Sequence, residues 1–307
     1  MSKIILHIGT AKTGTKTIQK LLHENKKILD ENGVYCPIVG RLRPDMGGHH
    51  LLPRSILYPD MHDQSVWSLL INELKDEVNE QYPLIILSSE DFSLLTPKDI
   101  LLVREYLSGF DVTILVYLRN QKDFMISLYN QFIKTGHYHC EFRCFARDFV
   151  HRCEYSIWLE GWITAFGVDN LSVKAFDWER QSSGLVSGFF LTILPDDAKA
   201  EPIVAGNLER RENVSPSDNS IKSIRFLNRI EDNFPNRYLL AGTSTIRRKL
   251  ILKSKLGRMF EKLAGLIFID DLYDAEGIAF LRDRGRTGDQ ERFESLFAPE
   301  FRNYFKF

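Results

Sequence analysis

The chain has 307 residues, 44% of them apolar and 26% charged, and its 40 Lys and Arg against 41 Asp and Glu give a formal net charge of −1. That balance excludes generic nucleic-acid binding, which leaves a strongly basic surplus, and the length is enough to bury the core of one large domain. No apolar run approaches the ~20 residues of a membrane span, and Met1-Ser2-Lys3 running straight into a strand is no signal peptide, so a cytoplasmic protein is expected.

Residues 3–8 form an apolar, β-branched run long enough for a buried strand, and Ile18, Leu21, Leu22, Ile28 and Leu29 then recur at helical spacing. Between them, Gly9 to Thr15 supplies two glycines with hydroxyl and amine side chains. A strand, a tight turn and a helix N-terminus present several backbone N–H groups and a positive dipole end, so the junction is expected to cradle an anion. An ordinary nucleoside triphosphate loop has Gly, four residues, then Gly-Lys-Ser/Thr. Gly9 and Gly14 have that separation, but Thr15 intervenes before Lys16, and Lys12 lies inside the loop.

Gly33 is placed to end the first helix, and residues 38–60, with the pair His49-His50, read as an irregular loop near the cradle. Residues 65–82 follow as a helix that stops at Pro83. Residues 84–91 are a second buried strand ending on Ser88, Ser89, Glu90 and Asp91. Thr96 and Pro97 open another helix as N-cap and first-turn residue. A third strand, 112–118, ends at Arg119. Further on, 145–166 is aromatic and helical, 171–176 is a fourth strand, 185–194 a helix, 196–220 a polar loop, and 221–265 helical with many Lys and Arg.

Strands alternating with helices at this rhythm predict an α/β fold: a parallel, doubly wound sheet flanked by helices, with a helical C-terminal part, all in a single domain. Ligands bind such sheets beyond the carboxyl ends of the strands, which is where Gly9–Thr17, Ser88–Asp91 and Arg119–Asp123 fall. The four cysteines are too few for a disulfide framework. Cys140, Cys144 and Cys153 lie among His137, His139 and His151, but the spacing matches no regular zinc finger or ribbon, and no metal is expected.

Lys12-Thr13-Gly14-Thr15 resembles the 5′-phosphosulfate loop of sulfotransferases that use 3′-phosphoadenylyl sulfate, and Arg119 with Ser127 eight residues later resembles their 3′-phosphate element. The resemblance covers about residues 1–135 and implies a P-loop-like fold. It implies donor contacts from Lys12, Thr13, Gly14, Thr15, Lys16, Thr17, Arg119 and Ser127. Arg119 offers a planar fork to a phosphate, and Ser127 a hydroxyl to the same oxygens. By position, Glu90 falls where cytosolic members carry the His base of a Lys-Thr-His strand end. Heparan-type members use a Glu base, so the resemblance gives Glu90 that role and Lys12 the charge on the departing phosphate. Ser88 departs from the family by replacing its Lys. The cytosolic Arg-Lys-Gly loop is also missing, and 210–215, with Arg211, resembles an Arg-x-Asn-x-Ser stretch of bacterial sulfotransferase-like proteins, a resemblance that implies equivalent phosphate or ribose contacts there.

His50 is read as an acceptor-side helper, with His49 and His50 competing with Glu90 as base. The implied reaction is sulfuryl transfer to a hydroxyl of a carbohydrate or glycoconjugate, releasing adenosine 3′,5′-bisphosphate without a metal. A phenol or alcohol is the rival acceptor. Two other functions stay open: a kinase needing Mg²⁺ and ATP, and a binding protein that keeps the nucleotide cradle without turnover.

Overall fold

The computed structural model describes residues 2–75, 81–136, 138–181, 184–194, 197–205, 217–232 and 272–286. They fall into two compact units, one drawn from Met1–Arg119 and Tyr155–Glu212, the other from Asn120–Glu154 and Asn213–Gln290.

In the first unit the apolar runs become a five-stranded, all-parallel sheet in the order β2-β3-β1-β4-β5. The strands are β1 (Lys3–His7), β2 (Val34–Tyr35), β3 (Leu84–Ser88), β4 (Asp111–Leu118) and β5 (Leu171–Ala175). β1 is central, with Ile5 opposite Ile86 of β3 and Thr113 of β4. Past Lys3 its residues are buried on both faces, as expected of a parallel strand covered by helices above and below. The chain leaves β1 toward one edge and later returns to pair β4 on the other side, so the end of β1 is a switch point where a crevice forms.

Helices α1 (Thr15–Glu24) and α2 (Lys26–Glu31) replace the single first helix expected from the periodicity. The break falls at Asn25, whose side-chain amide donates to the Leu21 carbonyl. Gly33 follows α2 with φ +74°, the left-handed stop the sequence suggested. Val34–Tyr35 then pairs with β3 as an edge strand, and one correction follows: the stretch 38–60, expected as an irregular loop, contains helix α3 (Leu51–Leu57). A two-residue strand has no period to read, and α3 is held by the burial of Leu52 and Ser55 rather than by helix propensity.

Helices α4 (Val66–Glu73) and α5 (Pro97–Tyr106) follow. Thr96 caps α5 through a reciprocal box with Asp99, and Pro97 stands in the first turn.

Chain order then passes to the second unit with α6 (Gln121–Thr135) and α7 (Phe142–Phe149), and returns to the first with α8 (Tyr155–Phe166). After β5 come α9 (Phe176–Gln181), α10 (Leu185–Ile193) and α11 (Asp197–Ala205). Helix α11 lies where a loop was expected, because Ala200 and Ile203 bury themselves in one core with Phe189, Phe190, Ile18 and Ile86.

The second unit adds α12 (Asp218–Asp232) and α13 (Ala275–Arg286). Its core is aromatic: the Tyr129 ring meets Phe142 and Phe145 edge-on at 5.3 and 5.2 Å. Asn228 donates to the carbonyls of Ile133, in the last turn of α6, and of Tyr138 beyond it. Among the described residues no helix is long and apolar enough to cross a membrane.

Candidate functional site

The loop between β1 and α1 is shaped by its own hydroxyls and by backbone that only short stretches of chain adopt. Gly9, Lys12 and Gly14 take φ of +49°, +72° and +74°, and Lys12 is the one non-glycine residue there, among those described, in the left-handed region. Such a backbone costs an L residue about 1–2 kcal/mol and collects where a loop must turn its N–H groups to one side. The Thr13 hydroxyl donates to the Thr10 carbonyl at 2.7 Å, and Thr15 reaches the same oxygen at 3.4 Å. Thr13 and Thr15 thus spend their hydroxyls on the loop itself, and the Thr10 N–H in turn donates to the Thr13 hydroxyl at 3.4 Å.

The first turn of α1 contributes further. Its backbone ladder starts with Thr17 and Ile18 donating to Gly14, so the amides of Thr15 and Lys16 precede the ladder, at the positive end of the helix. Lys16 is exposed, while Lys12 and Thr17 are half-buried.

Glu90 is carried to this loop by β3. A Cβ built on Gly9 would stand 3.4 Å from the Glu90 Cα, so the two stretches are in contact. Gln19, on the buried face of α1, donates from Nε2 to Glu90 Oε2 at 3.0 Å and approaches Ser88 Oγ at 3.5 Å. His50 Nδ1 lies 3.9 Å from the same carboxylate oxygen, 3.5 Å from Asp91 Oδ2, and 2.9 Å from Ser89 Oγ. Arg54, on α3, closes the cluster by donating to Asp91 at 2.6 Å. Burial by itself would raise the Asp91 carboxyl, but the hydrogen bonds from His50 and Arg54 outweigh it and hold it below the usual range.

The two histidines separate cleanly. His49 accepts from the Ser88 N–H at Nδ1 and reaches the Pro37 carbonyl from Nε2 at 2.9 Å, so its proton sits on Nε2 and both nitrogens are used. Burial, seconded by the charge of Arg41, pushes it down to about 3. His49 is therefore a neutral pin between the 38–50 stretch and β3, unsuited to act as a base. His50 stays with Glu90.

The same stretch lies tightly on α1. A Cβ on Gly47 would fall 1.7 Å from the Gln19 carbonyl oxygen, and one on Gly48 2.5 Å from His50 Nε2. Gly47→Ala is expected to cost about 1–3 kcal/mol, the range of overpacking, because the obstacle is backbone. A wild-type melting temperature for that variant would contradict this approach.

Arg119 ends β4 with its carbonyl accepting from the Tyr155 hydroxyl. Its guanidinium lies over the Phe176 ring at 5.8 Å, with Nε 3.6 Å from Asp177 and, among the described residues, making no hydrogen bond. Arg180 covers the same ring at 5.9 Å. Phe176 also abuts the loop between β1 and α1, since a Cβ on Gly14 would stand 3.3 Å from its edge. The first unit thus brings together residues 9–17, His50, Glu90 and, through Phe176, Arg119. Ser127 is half-buried in α6 of the second unit, and Arg211, with the 210–215 stretch, lies outside the described residues.

Sequence reading missed Gln19, the Asp91–Arg54 pair and Phe176. The only signal for Gln19 was a polar residue beside Ile18, Leu21 and Leu22 on an otherwise apolar face.

No protein-family model matches the chain, and no curated protein matches it. Among solved structures, a sulfotransferase from Alicyclobacillus acidocaldarius is similar with a TM-score of 0.38 and 15% identity, over 66% of this chain and 95% of that one. A likeness this distant does not say which residues act.

Proposed function

We propose that the chain is a sulfotransferase that moves the sulfuryl group of 3′-phosphoadenylyl sulfate to a hydroxyl of a carbohydrate or glycoconjugate. The observation that carries this is a carboxylate, Glu90, hydrogen-bonded and set against an anion loop at the carboxyl end of a central parallel strand. A kinase loop would put Lys16 directly after Gly14, which Thr15 prevents.

The loop amides and the end of α1 would hold the 5′-phosphosulfate, and Lys12, Lys16 and Thr17 border it. Lys12 would neutralise charge growing on the oxygen between phosphorus and sulfur as that S–O bond breaks. Glu90 would accept the proton of the acceptor hydroxyl while its oxygen bonds to sulfur, and adenosine 3′,5′-bisphosphate would leave. Most of the acceleration in such an in-line transfer comes from positioning and charge stabilisation, with no metal required. Arg119 would hold the spectator 3′-phosphate, with Ser127 as its partner on the strength of sequence spacing. His50, beside Glu90, would face the acceptor.

Adenosine 3′,5′-bisphosphate at a hundred times its dissociation constant should stabilise the protein by about 2.7 kcal/mol, read as a raised melting temperature. In Arg119→Ala the affinity should drop about 10- to 150-fold, the worth of a hydrogen-bonded charge. Greater stabilisation by ATP with Mg²⁺ would sink the sulfotransferase and favour the kinase. Nucleotide binding without sulfate transfer would leave only a binding protein.

A further inference from the structure

Gln19 stands out as a buried polar side chain that neither the anion loop nor the acceptor side accounts for. It is 5% exposed, on the first helical turn but one after the loop, and its amide nitrogen reaches Glu90 Oε2 and Ser88 Oγ together. Ser88 Oγ is in turn 2.9 Å from Nδ1 of the fully buried His7. The Gln19 backbone and side chain are covered by Gly47 and Gly48, at positions where any Cβ would overlap the Gln19 carbonyl or lie 2.8 Å from its Cδ. Its amide therefore has little freedom to swing away.

Both contacts to the Glu90 carboxylate, from Gln19 and the longer one from His50, arrive at Oε2. Among the described residues no hydrogen bond reaches Oε1. A carboxylate with one oxygen restrained presents the other in a defined direction, and α1, which carries Gln19, also carries the loop at its N-terminus. We infer that Gln19 is a positioning residue: it fixes Glu90 relative to the anion loop, so that Oε1 is aimed at an acceptor hydroxyl lined up with the bound sulfuryl group. This rests on the proposed sulfuryl transfer. A misaligned group costs rate even when it remains chemically competent.

The test uses 3′-phosphoadenylyl [35S]sulfate with p-nitrophenol, a primary alcohol and a hexosamine oligosaccharide as acceptors, and compares wild type, Gln19→Met, Glu90→Gln and the double variant. Gln19→Met, close in volume but without a donor, should lose about 10- to 150-fold in kcat, the worth of one hydrogen bond to a charged group. Its dissociation constant for adenosine 3′,5′-bisphosphate should stay within about twofold of wild type. In the Glu90→Gln background the same substitution should slow transfer no further, because its effect passes through the carboxylate. A merely structural role would slow both backgrounds equally. That result, or a kcat for Gln19→Met within threefold of wild type, overturns the inference. If Gln19→Met does not fold, Gln19→Leu, which also lacks a donor, replaces it in the same cycle with the same criteria. A wild-type protein that neither binds adenosine 3′,5′-bisphosphate nor labels any acceptor overturns the sulfotransferase function itself, and this is known before any variant is compared.

Discussion

Glu90→Gln should slow sulfuryl transfer by at least about a hundredfold while leaving adenosine 3′,5′-bisphosphate affinity nearly unchanged. The amide keeps the side chain's shape but cannot take the acceptor's proton, and general-base catalysis is commonly worth 10²–10⁴ in rate, roughly. Affinity should survive because the proposed phosphate contacts come from the loop 9–14, the start of α1 and Arg119, none of which hydrogen-bonds Glu90 among the bonds described. His50→Asn should raise the acceptor KM more than it lowers kcat, since His50 reaches the carboxylate only at 3.9 Å. Single-turnover rates with saturating donor separate the two effects. An active Glu90→Gln beside an inactive His50→Asn would move the base role to His50. His49 is no candidate in either case, because both its nitrogens are engaged with Ser88 and Pro37.

The second large effect is on stability in mild acid. Burial pushes both His7 and His49 down to about 3, and both are fully enclosed. Between pH 6.5 and 3 the unfolded chain binds protons on these rings that the folded chain cannot. Their contribution is therefore complete above pH 6.5 and lost as pH falls below it. For two such groups the loss between pH 6.5 and 5 is about 3 kcal/mol, against a total stability of order 5–15 kcal/mol. Asp91, whose carboxyl is held low, also loses stabilisation in acid, but only below the ordinary carboxylate range and thus outside this window. Urea midpoints at pH 7, 6 and 5 should fall steadily, and His49→Asn, which keeps an acceptor for the Ser88 amide, should roughly halve the slope. A flat midpoint over that range, or an unchanged slope in the variant, would show that the rings are not buried neutral.

How much of this was legible beforehand follows from which forces act locally. The strands 3–7, 84–88 and 111–118 could be read because a parallel strand buried on both faces must be a nearly continuous apolar run, and the edge strand 171–175 because Leu171, Val173 and Ala175 alternate with Ser172 and Lys174. The cap at Thr96 and the stop at Gly33 were legible because hydroxyl and glycine chemistry act within a few residues. Helix α11 was not, since Asp197 and Pro202 carry loop signals and only the burial of Ala200 and Ile203 against Phe189 and Phe190 outweighs them. The break at Asn25 was missed for a related reason: α1 and α2 keep a common apolar side through Ile18, Leu21, Leu22 and Leu29, and periodicity does not register a one-residue interruption.

The candidate site divides along the same line. By itself the sequence determined the tight turn at Gly9, Lys12 and Gly14 between a strand and a helix, and the ordering of Glu90 and Arg119 at strand ends. Those are properties of contiguous residues, and parallel topology sends every strand's carboxyl end to one edge of the sheet. Only the tertiary structure decided that Gln19 restrains Glu90 across 71 positions, that Asp91 is claimed by His50 and Arg54, and that His49 is a neutral pin while its neighbour His50 faces the carboxylates. The physical reason is that a hydrogen bond between distant residues depends on register and close approach: β1 paired with β3 so that His7 lies opposite Ser88, and two glycines at 47 and 48 letting the loop settle on α1. Neither leaves a periodic trace along the chain.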